Sequence, residues 1–173
     1  SSFKVFTLAA GLDQNIPLSK MYSSAPYKMG HITIENSEGM SCGTCTIASA
    51  TVMSLNTSYY RLMMDLKNGP RDVRAMAYKA GIPREIPGYG KTLQNKDGYV
   101  EGGITLGAYP VRPLDMASAY GTFAARGIYH EPFFVKEAVA NGGEGRTVYQ
   151  HDQQSGERRV KEVVADNVTS ALE

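Results

Sequence analysis

The chain has 173 residues, of which 42% are hydrophobic and 20% are charged, and its formal net charge is +1. This length and composition fit one ordinary globular domain. The nearly balanced charge gives no long-range field that would favour nucleic acid as a partner. No run of about 18 apolar residues occurs, so the sequence predicts no membrane span.

Apolar periodicity and turn residues predict a helix-dominated chain with few strands. The predicted helices cover residues 3–12, 42–53, 58–69, 70–81, 114–125 and 158–172. Their sequence signals include prolines suited to a first helical turn and an apolar stripe on the last helix: Pro70, Pro113, Val160, Val163, Val164 and Val168. The remaining predicted elements are a strand at 31–35, a surface loop at 81–107, and a hairpin of 133–140 with 146–151. A two-stranded ribbon is marginal alone, so the hairpin is expected to join a larger sheet.

The two cysteines, Cys42 and Cys45, form a single C-x-x-C. Two thiolates are half of a structural zinc site, and the three histidines are too scattered to complete one. A thioredoxin-like redox pair would require a βαβ context that the pattern lacks. The cysteines are therefore expected to form a local disulfide or two packed thiols in a turn. No metal site and no cofactor are predicted.

Ser1 and Lys4 stand at positions i and i+3 of the first predicted helix, so their side chains share a face. Phe3 and Phe6 would desolvate the lysine amine, which would then lose its proton more easily and could accept the proton of the serine. The positive end of the helix dipole would favour negative charge on the serine oxygen. Such a pair suits acyl transfer, although S-x-x-K alone is a short and common pattern.

Ser54 and Asn56 form an S-x-N in the predicted turn between two helices. Residues two apart do not face together on a helix, so a functional pair requires such a turn. A hydroxyl there could relay a proton, and the amide could steady the lysine and bind a substrate carbonyl. The alternative is a plain helix cap, with Asn56 or Thr57 at the N-cap of the next helix.

These motifs are two of the three that mark serine β-lactamases and penicillin-binding proteins. Further segments resemble the transpeptidase domain of class A penicillin-binding proteins, and the cysteine insertion resembles the actinobacterial members most. The matching segments are SSFK with FTLAA at 1–10, MSLNTSYY at 53–60, TLG at 105–107, PLDMASAY at 113–120 and FAARGIYH at 123–130. The resemblance implies an α+β fold, of which this chain is the helix-rich central part, with most of the sheet supplied by flanking segments.

The resemblance also implies the residue roles. Ser1 is expected to attack the penultimate D-Ala carbonyl of a peptidoglycan stem peptide, with Lys4 as its base. Ser54 would pass the proton to the leaving amine, while Asn56 holds the lysine and the substrate amide. A second stem peptide then resolves the acyl-enzyme into a cross-link, and β-lactam antibiotics trap the serine. The family works on the outer face of the bacterial membrane, anchored by a segment not in this chain, so Cys42 and Cys45 are expected to be oxidised.

Two departures from the family pattern stand out. No K-[ST]-G follows the last predicted helix, since Lys91-Thr92-Leu93 is the only near match and lies in the predicted loop. The family also places a glycine and a long chain before the serine. We therefore expect residues 1–173 to be a partial transpeptidase domain, incomplete at both ends, and inactive without the N-terminal and K-[ST]-G segments.

Three other functions are alternatives to D,D-transpeptidase or carboxypeptidase activity. A β-lactamase requires a glutamate in an E-x-x-L-N context, which neither Glu85 nor Glu101 has. An N-terminal-nucleophile hydrolase would use the α-amine of Ser1 as base, but it needs more strands than this chain predicts. A penicillin sensor, acylated once without turnover, would use the same pocket and is the main alternative.

Overall fold

The computed structural model describes residues 2–140, 145–152 and 155–173. Its first helix, α1 (Lys4–Asp13), is buried on every side from Lys4 to Gly11. A helix with apolar residues all round belongs in a core, and α1 contacts three other helices. At Gly11 the side chain of Leu62 lies 3.0 Å from where a Cβ would be, so a larger residue would require this side chain to shift. The predicted helix at 3–12 is confirmed.

The other helices of the described residues pack around α1 or against its neighbours. They are α2 (Ile47–Val52), α3 (Asn56–Met64), α4 (Pro70–Ala80), α5 (Pro113–Ala124) and α6 (Glu162–Leu172). α1 contacts α3, α4 and α6, whereas α5 packs on α4 and α6, and α2 packs on α3 and α6. Both predicted proline starts are confirmed, because α4 and α5 begin at proline. No helix of the described residues is long and apolar enough to cross a membrane.

The strands of the described residues form five separate two-stranded antiparallel sheets. In chain order they are β1 (Met21–Ser23), β2 (Tyr27–Met29), β3 (Ile32–Ile34), β4 (Thr44–Thr46), β5 (Glu85–Ile86), β6 (Gly90–Lys91), β7 (Ile128–Tyr129), β8 (Glu137–Val139), β9 (Thr147–Gln150) and β10 (Glu157–Arg158). The predicted strand at 31–35 is confirmed as β3. The predicted hairpin is confirmed as β8 paired with β9, although its tip at 141–144 lies outside the described residues.

The helix predicted to open at Cys42 was wrong in its first part. Residues Thr44 to Thr46 instead form β4, which pairs with β1, and α2 begins only at Ile47. β-branched threonines on both sides of Cys45 favour the strand. The hydroxyl of Thr46 then accepts from the N–H of Ser49 and so caps the shortened helix.

Two further predictions need correction. The segment 81–107 is not a surface loop, since it holds β5, β6 and a 3-10 helix at Gly102–Leu106, and it buries Leu93, Val100 and Ile104. Apolar residues spaced irregularly among glycines gave no periodic signal for this burial. The helix predicted over 58–69 begins earlier, at Asn56, and ends at Met64, where a turn precedes the proline of α4.

The last helix also starts later than predicted. Arg158 lies in β10, paired with β7, and α6 begins at Glu162. Val160, Val164 and Val168 are buried as predicted, but Val163 is 64% exposed. Buried positions four residues apart follow the helical period, and Val163 falls to the side of that stripe.

Candidate active site

The lysine of the S-x-x-K motif opens α1 and lies beneath the turn between α2 and α3. Its side chain is only 5% exposed. Lys4 Nζ donates to the carbonyl oxygen of Ser54 at 2.5 Å and to Ser54 Oγ at 3.1 Å. The fold thus joins two motifs that are 50 residues apart in sequence.

Burial changes the chemistry of this lysine. It lowers the pKa of Lys4 from 10.5 to about 8, because the ammonium loses water on entering the core. The ring of Tyr59 lies 5.6 Å from Nζ and supplies one apolar wall. Among the described residues no carboxylate forms an ion pair with Lys4. Burial therefore raises the fraction of Lys4 that is neutral and able to accept a proton.

The S-x-N runs from a tight turn, in which Ser54 is exposed, into the first residue of α3. Ser54 has a φ of 53°, in the left-handed region that non-glycine residues seldom adopt. Leu55 is fully buried and its N–H donates to the carbonyl of Ala50, which anchors the turn. Backbone strain of this kind is concentrated at functional sites. Here the strained turn places the hydroxyl of Ser54 next to Lys4, on the outer side of the core.

Asn56 is the first residue of α3, and Leu55 is the N-cap, with no side-chain cap bond. The alternative in which Asn56 or Thr57 is the N-cap residue is therefore wrong. Within the described residues, the amide of Asn56 donates to the carbonyl of Glu35 at 3.0 Å and forms no hydrogen bond with Lys4. Its predicted contacts with Lys4 and with substrate stay predictions.

Ser1, the predicted nucleophile, lies outside the described residues. The chain next to it is held in place, because the hydroxyl of Tyr120 on α5 donates to the carbonyl of Ser2 at 2.7 Å. Phe3 is buried directly before the lysine. Sequence analysis missed both Tyr120 and Tyr59, since each reaches the site through tertiary packing and carries no local signal of it.

Cys42 and Cys45 form a disulfide in this structure. Both sulfurs are therefore bonded and unavailable as thiolate ligands. Across residues 2–140, 145–152 and 155–173, no group of three or more potential ligand side chains could hold a metal ion. The disulfide loop closes against the buried Ser24, whose hydroxyl accepts from the N–H of Cys42 at 3.0 Å.

The structure has a helix-rich α+β fold in which the lysine of the S-x-x-K motif is hydrogen-bonded to the serine of the S-x-N motif. This arrangement matches the class of serine β-lactamases and penicillin-binding proteins. The sequence matches the family described as penicillin binding protein transpeptidase domain over residues 1–173. The chain belongs to this family, and the resemblance seen in the sequence is confirmed.

Curated relatives support the same assignment. The chain is 48% identical over 176 residues to penicillin-binding protein 1A of Mycolicibacterium smegmatis. This alignment covers all of this chain and 22% of that protein. It is 49% identical over 175 residues to penicillin-binding protein 1A of Mycobacterium tuberculosis, covering 21% of that protein. The chain thus spans about a fifth of the length of these relatives.

Solved structures show the same fold. Penicillin-binding protein PonA1 from Mycobacterium tuberculosis superposes with a TM-score of 0.92 at 48% identity, over all of this chain and 45% of that one. Its complex with penicillin V gives a TM-score of 0.91, over all of this chain and 46% of that one. The imipenem acyl-enzyme of penicillin-binding protein A from M. tuberculosis is 25% identical, with a TM-score of 0.80, over 99% of this chain and 42% of that one. The α+β fold class is confirmed.

Proposed function

We propose that this chain carries the nucleophile and proton-transfer groups of a D,D-transpeptidase that cross-links peptidoglycan stem peptides. The observation that carries the proposal is the hydrogen-bonded pair of Lys4 and Ser54. A desolvated amine with a lowered pKa is suited to act as the base of the serine nucleophile, and its contact with the S-x-N serine offers a path by which the proton can be passed on. Family membership supports the substrate class, since the matching family is defined by transpeptidase domains.

The proposed reaction has two steps. Ser1 Oγ attacks the carbonyl of the penultimate D-Ala while Lys4 Nζ takes its proton, and a C–O bond forms. The C–N bond then breaks, and the proton passes from Lys4 through Ser54 Oγ to the departing D-Ala amine. The amine of a second stem peptide attacks the ester, releases Ser1 and restores its proton. Water in place of this amine would give carboxypeptidase activity.

The K-[ST]-G element is proposed to come from outside these 173 residues, because the sequence contains no such tripeptide. Acyl transfer needs donors for the developing oxyanion and, in this family, a cation for the substrate carboxylate. A chain without that element lacks one wall of the pocket. We therefore expect residues 1–173 alone to react with penicillin far more slowly than the same residues within a complete transpeptidase domain.

We also propose that the site is acylated by β-lactams and works on the extracytoplasmic face of the membrane, anchored by a segment outside this chain. The complexes of PonA1 with penicillin V and of penicillin-binding protein A with imipenem support the first part by similarity. The Cys42–Cys45 disulfide supports the second, because such bonds persist outside the reducing cytoplasm.

The test uses a fluorescent penicillin and peptide mapping. The chain is exchanged for the matching segment of the M. smegmatis relative, and labelling of this chimaera is compared with that of residues 1–173 alone. We expect the label on a peptide containing Ser1 and none in Ser1→Ala. Labelling that survives this substitution would refute the nucleophile, and labelling of the isolated chain at the chimaera's rate would refute the requirement for a further segment. Acylation without any cross-linking of stem peptides would identify a sensor instead.

A further inference from the structure

The S-x-N turn leads into a helix whose own sequence cannot cap it. The N-cap residue of α3 is Leu55, whose side chain has no hydrogen-bonding atom and points into the core. The first N–H groups of a helix lack partners within the helix and need an acceptor from elsewhere. Ser54 and Asn56 flank this uncapped start, so their positions depend on whatever supplies the acceptor.

Asn36 supplies it from a loop 21 residues earlier in the sequence. Its Oδ1 accepts from the backbone N–H of Thr57 at 3.0 Å and lies 3.1 Å from the hydroxyl of Thr57. Thr57 directly follows Asn56 and is fully buried. An asparagine is among the best N-cap acceptors, and here it acts across the fold instead of from the helix's own N-cap position.

The other half of the Asn36 amide is also occupied. Its Nδ2 donates to the carbonyl of Ser24 at 3.0 Å and to the carbonyl of Met40 at 2.9 Å. Two carbonyls on the NH₂ side and an N–H on the oxygen side leave one consistent orientation of the amide. Ser24 is in turn bonded to the disulfide loop through its N–H, which donates to the carbonyl of Gly43. One side chain thus links the start of α3 to the disulfide loop.

We propose that Asn36 is a positioning residue for the proposed transpeptidase reaction, which holds Ser54 and Asn56 in register with Lys4 by capping α3 from outside the helix. Asn36 itself touches neither reacting atom. Its loss would let the first turn of α3 fray and the S-x-N turn shift, which would weaken the bond between Lys4 and Ser54. The inference rests on the proposed function only for its effect on acylation; the capping contact stands on the geometry.

Matched variants separate capping from bulk stability. Asn36→Leu has a similar volume but no acceptor, whereas Asn36→Asp keeps the acceptor for Thr57 and loses the two donors. Asn95→Leu is the control, because Asn95 is a half-buried loop asparagine bonded on both sides of its amide, to Glu101 and Tyr109. We expect the same results for Asn36→Ala, which is used instead of Asn36→Leu if the leucine variant does not fold.

Two readouts are measured on the full-length protein: the first-order acylation rate constant, separated from the affinity for penicillin, and hydrogen exchange of the amides at the start of α3. We expect Asn36→Leu to lower the rate constant at least ~5-fold and to speed exchange at Thr57, with Asn36→Asp and Asn95→Leu within ~2-fold of the wild type. Equal slowing by Asn36→Leu and Asn95→Leu, or wild-type exchange at Thr57 in Asn36→Leu, would overturn the proposal.

A wild-type protein that penicillin does not acylate would refute the proposed function and leave the exchange measurement to decide the capping role. In that case faster exchange at Thr57 in Asn36→Leu, and not in Asn36→Asp, supports Asn36 as the cap of α3. Unchanged exchange contradicts it.

Discussion

The buried lysine makes a sharp prediction about pH. Burial lowers the pKa of Lys4 from 10.5 to about 8. At pH 7 a lysine with the lower pKa is about 9% neutral, against about 0.03% at the ordinary value, so burial provides roughly 300-fold more free base. If Lys4 is the base, acylation should rise about tenfold for each pH unit below 8 and level off above it.

The assay is stopped-flow acylation of the full-length protein by a fluorescent penicillin between pH 5.5 and 9.5. Lys4→Arg is the informative variant, because the guanidinium keeps the charge and its hydrogen-bond donors but does not lose its proton in this range. We expect it to acylate at least ~100-fold more slowly than the wild type at pH 8, with no rise as the pH increases.

Stability gives an independent measure of the same effect. Lowering the pKa from 10.5 to about 8 corresponds to about 3 kcal/mol against the ammonium form in the folded protein. The unfolded chain binds this proton more tightly, so the penalty is full below pH 8, shrinks as the pH rises, and is gone above 10.5. Relative to Lys4→Met, the wild type should therefore gain stability between pH 8 and 10.5. A flat acylation profile, or a rate that still rises about tenfold per pH unit up to pH 9.5 without levelling off near 8, would refute the reasoning.

Three further predictions concern the surroundings of the site. Thr7 and Thr105 share a hydrogen bond of 2.6 Å and are fully buried. Each single valine variant should therefore lower the free energy of unfolding by about 1–3 kcal/mol, and the double variant should lower it by less than the sum of the two, as measured by thermal unfolding. Tyr120→Phe removes the hydrogen bond to the carbonyl of Ser2, beside the proposed nucleophile Ser1, and should slow acylation about 2- to 10-fold without changing the labelled peptide. Mass spectrometry without reductant should find Cys42 and Cys45 joined, and two free thiols would contradict this. Replacing both cysteines by serine should lower the free energy of unfolding by less than ~3 kcal/mol, because the closed loop is short.

Local sequence signals determined much of the helical framework. An apolar run predicted α1, and Pro70 and Pro113 marked the starts of α4 and α5. Ser54 was correctly expected in a turn, because two residues that must act together cannot sit two apart on a helix, although Asn56 is already the first residue of α3. These features depend on near neighbours, so they can be read from the chain itself.

Only the tertiary structure decided the rest. The strand at Thr44–Thr46 forms because β1 lies beside it, and Leu93 is buried because the 81–107 segment folds back onto the core. The direction of the Lys4 pKa shift was expected from Phe3 and Phe6, whereas the contact of Lys4 with Ser54 and the cap that Asn36 provides for α3 join residues far apart in sequence. These hydrogen bonds act through space, so no local pattern encodes them, and the geometry of this site is set by contacts that exist only after the chain has folded.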